Sequence, residues 1–277
     1  MDISTLPRQQ HKDLVAMLAG LEAIQAWIDE NGCLVIGIGV LKGGTGKTTS
    51  TIFFALYLAI VLGLNVAVID TDDNSQSVDN WHNIRDARGE DVKFTLYSYD
   101  PKDENAQDLD DMIEGLAANH QVILVDSGGA GKETYWEMCK VAHMLLLPVA
   151  PSGYEIARVR SSLRLADKSA KSKIEGDLQV TVFMVKCSGN NTLAQEQRPV
   201  LQNIVDTCET KFVSPTLAPE PFQISGSPDY PRSWETTPKR PQLQEFGQLF
   251  RFLMKDLVTE EAAEEEEATG ETEEATV

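Results

Sequence analysis

The sequence is poor in cysteine. Its four, Cys33, Cys139, Cys187 and Cys208, are widely scattered and form no CxxC pair. That spacing excludes a zinc ribbon and a disulfide framework, and leaves buried thiols in a reducing compartment as the expectation. No run of 18 apolar residues exists, so no membrane-spanning helix is expected. The opening residues lack a basic region followed by an apolar stretch, so no secretory leader is expected. Basic residues are also scarce. Twenty-four Lys and Arg face 43 Asp and Glu, for a net charge of -19. A general nucleic-acid coat protein would be basic overall, so that class is excluded. The imbalance is uneven: residues 259–277 hold nine Glu and neither Lys nor Arg, which leaves the preceding body near -10. Such a tail has too little apolar surface to offset its ordering entropy and is expected to be disordered. The body is not poor in core material, since 42% of all residues are hydrophobic. No internal repeat is present.

Residues 13–31 place Leu14, Met17, Leu18, Leu21, Ile24, Trp27 and Ile28 at helical spacing, and Asn31-Gly32 is a stop signal. One helix is too short for a helix-turn-helix module, so packing on the body or on a partner subunit is expected. From Cys33 the pattern changes to short apolar runs at 34–40, 66–70, 92–99, 122–126, 144–150 and 180–185, with helical stretches between several of them. Runs with little alternation are buried on both faces. Strands alternating with helices predict an α/β fold, a mostly parallel doubly wound sheet with its ligand edge at the strand carboxyl ends. The Pro-, Ser- and Thr-rich stretch 214–242 reads as a long irregular surface segment. A last amphipathic helix is expected over 243–257, with Leu243, Phe246, Leu249, Phe250, Leu253 and Leu257 on one face. The expected organisation is a helical extension (1–32), a nucleotide-binding body (33–258) and an acidic tail (259–277).

The strongest signal is LKGGTGKTTS, residues 41–50, between an apolar strand and the helical run TIFFALYLAIVLG. Strand, glycine-rich loop and helix are the context a phosphate-binding loop requires. Gly43, Gly44 and Gly46 let backbone N–H groups turn inward around phosphate oxygens, and the helix presents its positive end to the same anion. Lys47 is placed to reach the β- and γ-phosphates, and the Thr48 hydroxyl to ligate magnesium. Thr45 and Thr49 complete the expected ATP and Mg2+ site. The strict GxxxxGK[ST] pattern fails, because its first position falls on Leu41, but a second lysine, Lys42, precedes the glycine pair.

With that extra lysine the loop resembles the deviant Walker A motif of the ParA/MinD family of ATPases. Two further blocks extend the resemblance. VAVIDTDDNSQSVDNW (66–81) is similar to the family's DxDPQxSxxxW signature, with Asp70, Asp72, Ser77 and Trp81 at matching positions and Asp73-Asn74 in place of Pro-Gln. VILVDSGG (122–129) resembles Walker B, with Ser127-Gly128 where the family commonly has Thr-Pro. A fourth block, 141–163, fits the strand that runs into P-V-x-P and a helix; there His143 stands where Asp is usual, and a structural role is expected for it. The resemblance spans residues 33–255 and is closest to ParA-type partition ATPases. It implies a homodimer closed on two ATP molecules, with Lys42 crossing to the partner's phosphates. It implies Asp72 orienting the attacking water, Asp70 supporting the magnesium shell, and Asp126 reaching the metal through a water.

What such a dimer would bind is suggested by residues 156–174, with six basic residues and a single acidic one, Asp167. On a helical wheel Arg160, Arg164, Lys168 and Lys171 fall within about 80° of each other. A basic stripe in an acidic protein suggests a nonspecific DNA-backbone surface, which dimerisation would double. By resemblance, a ParB-like adaptor would stimulate slow hydrolysis, and the protein would be cytoplasmic and nucleoid-associated. A MinD-like membrane cycle is the alternative, opposed by the Glu run after the terminal helix. A nucleotide switch with negligible hydrolysis is a third reading. Related reductase iron proteins need paired cysteines, and related bacterial tyrosine kinases carry a Tyr-rich tail; neither feature is present.

Overall fold

The structure is a computed structural model that describes residues 8–41, 44–71, 77–100, 107–128, 131–173, 177–187, 192–219 and 240–255. Lys42, Gly43, Asp72, the Asp73-Asn74 substitution, Leu257 and the Glu-rich tail lie outside these residues.

Seven strands form one parallel sheet. They are β1 (Leu34–Ile38), β2 (Val66–Asp70), β3 (Thr95–Ser98), β4 (Val122–Asp126), β5 (Met144–Val149), β6 (Leu178–Met184) and β7 (Val213–Leu217), in the spatial order β3-β2-β4-β1-β5-β6-β7. Every residue of β1, β2, β4 and β5 is buried, which is why these runs read as continuously apolar rather than alternating. β3 and β7 lie at the two ends of the sheet and are half exposed.

The helices are α1 (Arg8–Asn31), α2 (Lys47–Leu56), α3 (Ser77–Asp86), α4 (Leu109–Ala117), α5 (Lys132–Val141), α6 (Gly153–Ala170), α7 (Thr192–Thr207) and α8 (Arg240–Met254). Right-handed crossovers sort them. The connections β1–α2–β2 and β2–α3–β3 step one way and lay α2 and α3 on one face. The rightward steps from β3 onward lay α4 to α7 on the other. Two apolar clusters follow, one on each side of the sheet.

α1 and α8 complete the α2 face. Phe246 stacks near Phe53 at 6.1 Å between ring centres, and Phe250 packs on Tyr57 at 5.8 Å. Phe246, Leu249 and Phe250 are fully buried, each contributing on the order of 2–3 kcal/mol of transfer free energy. α1 settles on α8 through Gly20, where an added Cβ would lie 2.9 Å from Phe250 Cε1. Ile24 and Ile28 are buried there, so this part of the apolar face of α1 is covered by the chain itself, whereas Leu18 remains exposed.

Three sequence readings need correction. The stretch 214–242 is not irregular from its start, because residues 213–217 are β7, paired in register with β6 from Leu178↔Val213 to Val182↔Leu217. Pro215 and the hydroxyl residues hid it. A proline removes a ladder donor and is tolerated on an edge strand, where one side of the backbone has no neighbour. The helical run after the phosphate loop does not stay α-helical, since Tyr57–Val61 widens into a π turn at the end of α2. α1 also begins earlier than the apolar periodicity indicated, at Arg8.

Candidate nucleotide site

The strand order places the candidate site. The chain leaves β1 toward β2 on one side and returns through β4 toward β5 on the other, so a crevice opens at the carboxyl ends of β1 and β4. β4 inserts between β2 and β1 with Asp126 level with both Asp70 and Ile38. Residues far apart in sequence are thereby brought to one edge, directly below the loop that leaves β1.

Gly44 and Gly46 take φ of +78° and +89°, in the left-handed region that other residues enter only with strain. Gly46 immediately precedes α2, so the loop delivers the chain into the helix with its first N–H groups facing the crevice edge. Lys47 and Thr45 are buried, at 6% and 2% exposure, whereas Thr48 and Thr49 are half buried. The Thr45 hydroxyl has no hydrogen-bond partner among the described residues. Buried polar atoms in that state are uncommon and mark places where a ligand or water completes the structure.

Asp126 is the hub. Thr48 Oγ1 donates to its Oδ2 at 2.8 Å. Thr51 Oγ1 lies 3.0 Å from its Oδ1 and 3.1 Å from the Lys47 carbonyl. Thr71 Oγ1 donates to the Asp126 carbonyl at 2.8 Å and accepts from Gly128 N at 3.3 Å. Burial, and then the charge of Asp70, push the Asp126 carboxyl up to about 7, against the Thr48 and Thr51 hydroxyls and Lys47, which favour the carboxylate. Thr51 and Thr71 are site residues that the sequence reading did not name. Thr51 sits one helical turn after Lys47, so its spacing carried a signal; nothing local marked Thr71.

Asp70 also holds a helix in place. Its Oδ2 accepts from Val78 N at 3.0 Å and Asp79 N at 3.3 Å, so it caps the start of α3 from the end of β2. Trp81, one turn on, anchors that helix in the core, 2% exposed and stacked 6.0 Å from Phe94. Asp70 and Trp81 thus lock α3 to the sheet beside the crevice.

The basic stripe lies on α6. Ile156, Val159, Leu163 and Ala170 are buried against the sheet, while Arg164, Lys168 and Lys171 are exposed. Arg160 is more constrained, since its guanidinium donates to the Thr207 carbonyl at 3.2 Å and to Thr207 Oγ1 at 2.8 Å, at the end of α7. Asp167 accepts from the N–H groups of Lys211 and Phe212, which ties the helix to the turn before β7. The four cysteines are free and buried, and burial pushes Cys33 and Cys187 up to about 11. No cluster of three or more metal-ligating side chains of the His, Cys, Asp and Glu type occurs among the described residues. No helix among them is long and apolar enough to cross a membrane.

The donor set fits a magnesium nucleotide. It combines a lysine, hydroxyls and carboxylates, oxygen ligands suited to a hard cation, beneath a loop of left-handed glycines at a helix N-terminus. Comparison with known proteins agrees. The profile of the CobQ/CobB/MinD/ParA nucleotide binding domain matches residues 36–209. Similar solved structures include apo McdA from Cyanothece, with 16% identity over 82% of this chain and 100% of that one and a TM-score of 0.62. A plasmid partition protein from Borrelia burgdorferi B31 bound to AMPPNP shares 17% identity over 80% of this chain and 99% of its own, with a TM-score of 0.57. The pNOB8 ParA bound to nonspecific DNA shares 18% identity over 82% of this chain and 97% of its own, with a TM-score of 0.51. At these identities the likeness establishes the fold. No curated protein sequence matches the chain.

Proposed function

Because the chain belongs to the CobQ/CobB/MinD/ParA nucleotide-binding family, we infer that it is a ParA-like positioning ATPase. In this reading an ATP-bound sandwich dimer holds nonspecific DNA, and hydrolysis stimulated by a ParB-like adaptor releases it. The observation that carries the reading is the set of buried Lys47, buried Asp126 and half-buried Thr48 under the glycine loop, with Thr48 bonded to Asp126.

Each residue has a task in that scheme. Lys47 compensates phosphate charge from within the protein, where water screens it little. Thr48 and Asp126, with Asp70 beside them, would hold a magnesium ion, which would supply neutralisation of phosphate charge. The loop N–H groups and the N-terminus of α2 orient the phosphates, and phosphoryl transfer needs little more than such positioning and neutralisation. Lys42 extends to the partner subunit's nucleotide, and Asp72 orients the attacking water. Arg164, Lys168 and Lys171, exposed along α6, meet the DNA backbone, with Arg160 of the same helix, bonded to the end of α7, contributing beside them. A structural neighbour was solved on nonspecific DNA, which supports this choice of partner. The membrane-cycling alternative gains nothing from α8, whose Phe246, Leu249, Phe250, Leu253 and Met254 are already buried in the core.

The test is binding to random duplex DNA across a salt series, with Mg-ATP and with Mg-ADP. DNA binding is expected with ATP alone. A triple change of Arg164, Lys168 and Lys171 to Ala should flatten the log K against log salt slope by roughly 0.9 per lost phosphate contact. Equal binding with ADP, or an unchanged slope in the triple variant, would reject the DNA role.

A further inference from the structure

Beside the phosphate loop stands a residue that no motif marks. Lys186 follows β6 and takes φ of +59°, the one positive φ of a non-glycine residue among those described. An L side chain enters that region at a cost, and such residues persist only where their surroundings hold them. Both neighbours are fixed. Val185 is 3% exposed and its N–H donates to the Val149 carbonyl at 2.9 Å, while Cys187 is 5% exposed. Held between two buried residues, Lys186 turns its side chain back to the glycine loop, and its Nζ donates to the Gly44 carbonyl. The contact joins positions 142 residues apart. A second contact lies next to it, since the Cβ direction of Gly46 faces Val185 Cγ2 at 3.5 Å. The connection after β6 is therefore a wall against which the phosphate loop rests.

The geometry points to Lys186 as a positioning residue of the nucleotide site. A trans peptide holds its C=O and N–H on opposite sides. Anchoring the Gly44 carbonyl on Lys186 therefore turns the Thr45 N–H to the other side of the loop. Lys186 fixes that peptide from outside, so that an amide donor is ready before the phosphates arrive. One ammonium proton is spent on the carbonyl; the charge remains and adds to the positive field of Lys47 and the N-terminus of α2. Without this anchor the Gly44–Thr45 peptide is free to rotate, because glycine permits it on either side of φ = 0. This assignment rests on the reading of the loop as a nucleotide site.

Titration calorimetry with Mg-ATP and Mg-ADP tests it, alongside the thermal midpoint of the nucleotide-free protein. Lys186→Met should weaken both nucleotides about tenfold, the size of one hydrogen bond to a charged group. Lys186→Arg should restore most of the affinity. Lys186→Gly relaxes the left-handed backbone, so its midpoint should hold or rise while its affinity falls as in Lys186→Met. Affinity in Lys186→Met within twofold of the parent overturns the assignment, as does normal affinity in Lys186→Gly. Should the parent protein bind neither nucleotide, the functional reading falls and this assignment with it. Tight binding by the parent and by Lys186→Met removes this assignment alone.

Discussion

The two edges of the sheet treat their polar groups in opposite ways. At the amino edge they pair with one another. His143 Nδ1 accepts the Val35 N–H at 2.9 Å, the His143 backbone N–H donates to the Val35 carbonyl at 2.9 Å, and Trp27 meets the ring edge-on at 4.7 Å. Gln121 bridges Asn65 N at 3.0 Å and Gln25 at 3.2 Å. At the carboxyl edge, Asp70 and Asp126 lie side by side, burial and then the Asp70 charge raise the Asp126 carboxyl, and the Thr45 hydroxyl has no partner among the described residues. One edge uses its polar groups to close the fold. The other keeps them buried yet incompletely satisfied, the state expected of a site that a charged ligand completes.

The sharpest break in this comparison is Lys47→Ala. It should cost at least about 100-fold in Mg-ATP affinity, because a buried charge facing phosphates is weakly screened, yet leave the nucleotide-free thermal midpoint close to the parent's. Calorimetry and a melting curve read the two separately. A collapse of stability with affinity intact would show that the carboxyl edge closes the fold as the amino edge does.

At the amino edge the expected effect is on stability and depends on pH. Burial, then the nearby Lys173 charge, lower His143 to about 4. Between that value and the ordinary 6.5 the unfolded chain binds a proton that the folded one refuses, so stability falls as pH drops through this window. The loss should approach about 2–3 kcal/mol near pH 4. His143→Asn cannot titrate, so its stability deficit relative to the parent should shrink as pH falls from 7 to 4.5 in denaturant melts. A constant deficit would mean the imidazole is not held neutral.

The smallest effect sharpens the loop itself. Gly46→Ala places a Cβ at φ +89° with only ordinary contact to Val185 at 3.5 Å, so its cost is conformational, about 1–2 kcal/mol. Chemical denaturation should show that loss, and bound nucleotide should recover part of it.

Much of this was legible in the chain. The runs 66–70 and 122–126 are strands with those very ends, because strands buried on both faces must be apolar throughout and stop at the first ionisable residue. The glycines and Lys47 announced the loop, since only that composition lets amide groups surround an anion. β7 was not legible, because an edge strand interrupted by Pro215 carries the same residues as a loop. Thr71 and Lys186 were not legible either. Their roles come from neighbours 55 and 142 positions away, and no local pattern encodes those partners.

The sequence by itself determined the layered α/β architecture, the phosphate loop and the family, since periodicity and turn chemistry are local properties. Tertiary structure decided that α1 packs on α8, that Asp70 caps α3, that Arg160 is tied to α7, and that Lys186 meets the loop. Each of these depends on which segments become neighbours when the sheet assembles, and that is set by the burial of whole faces rather than by any stretch of chain alone.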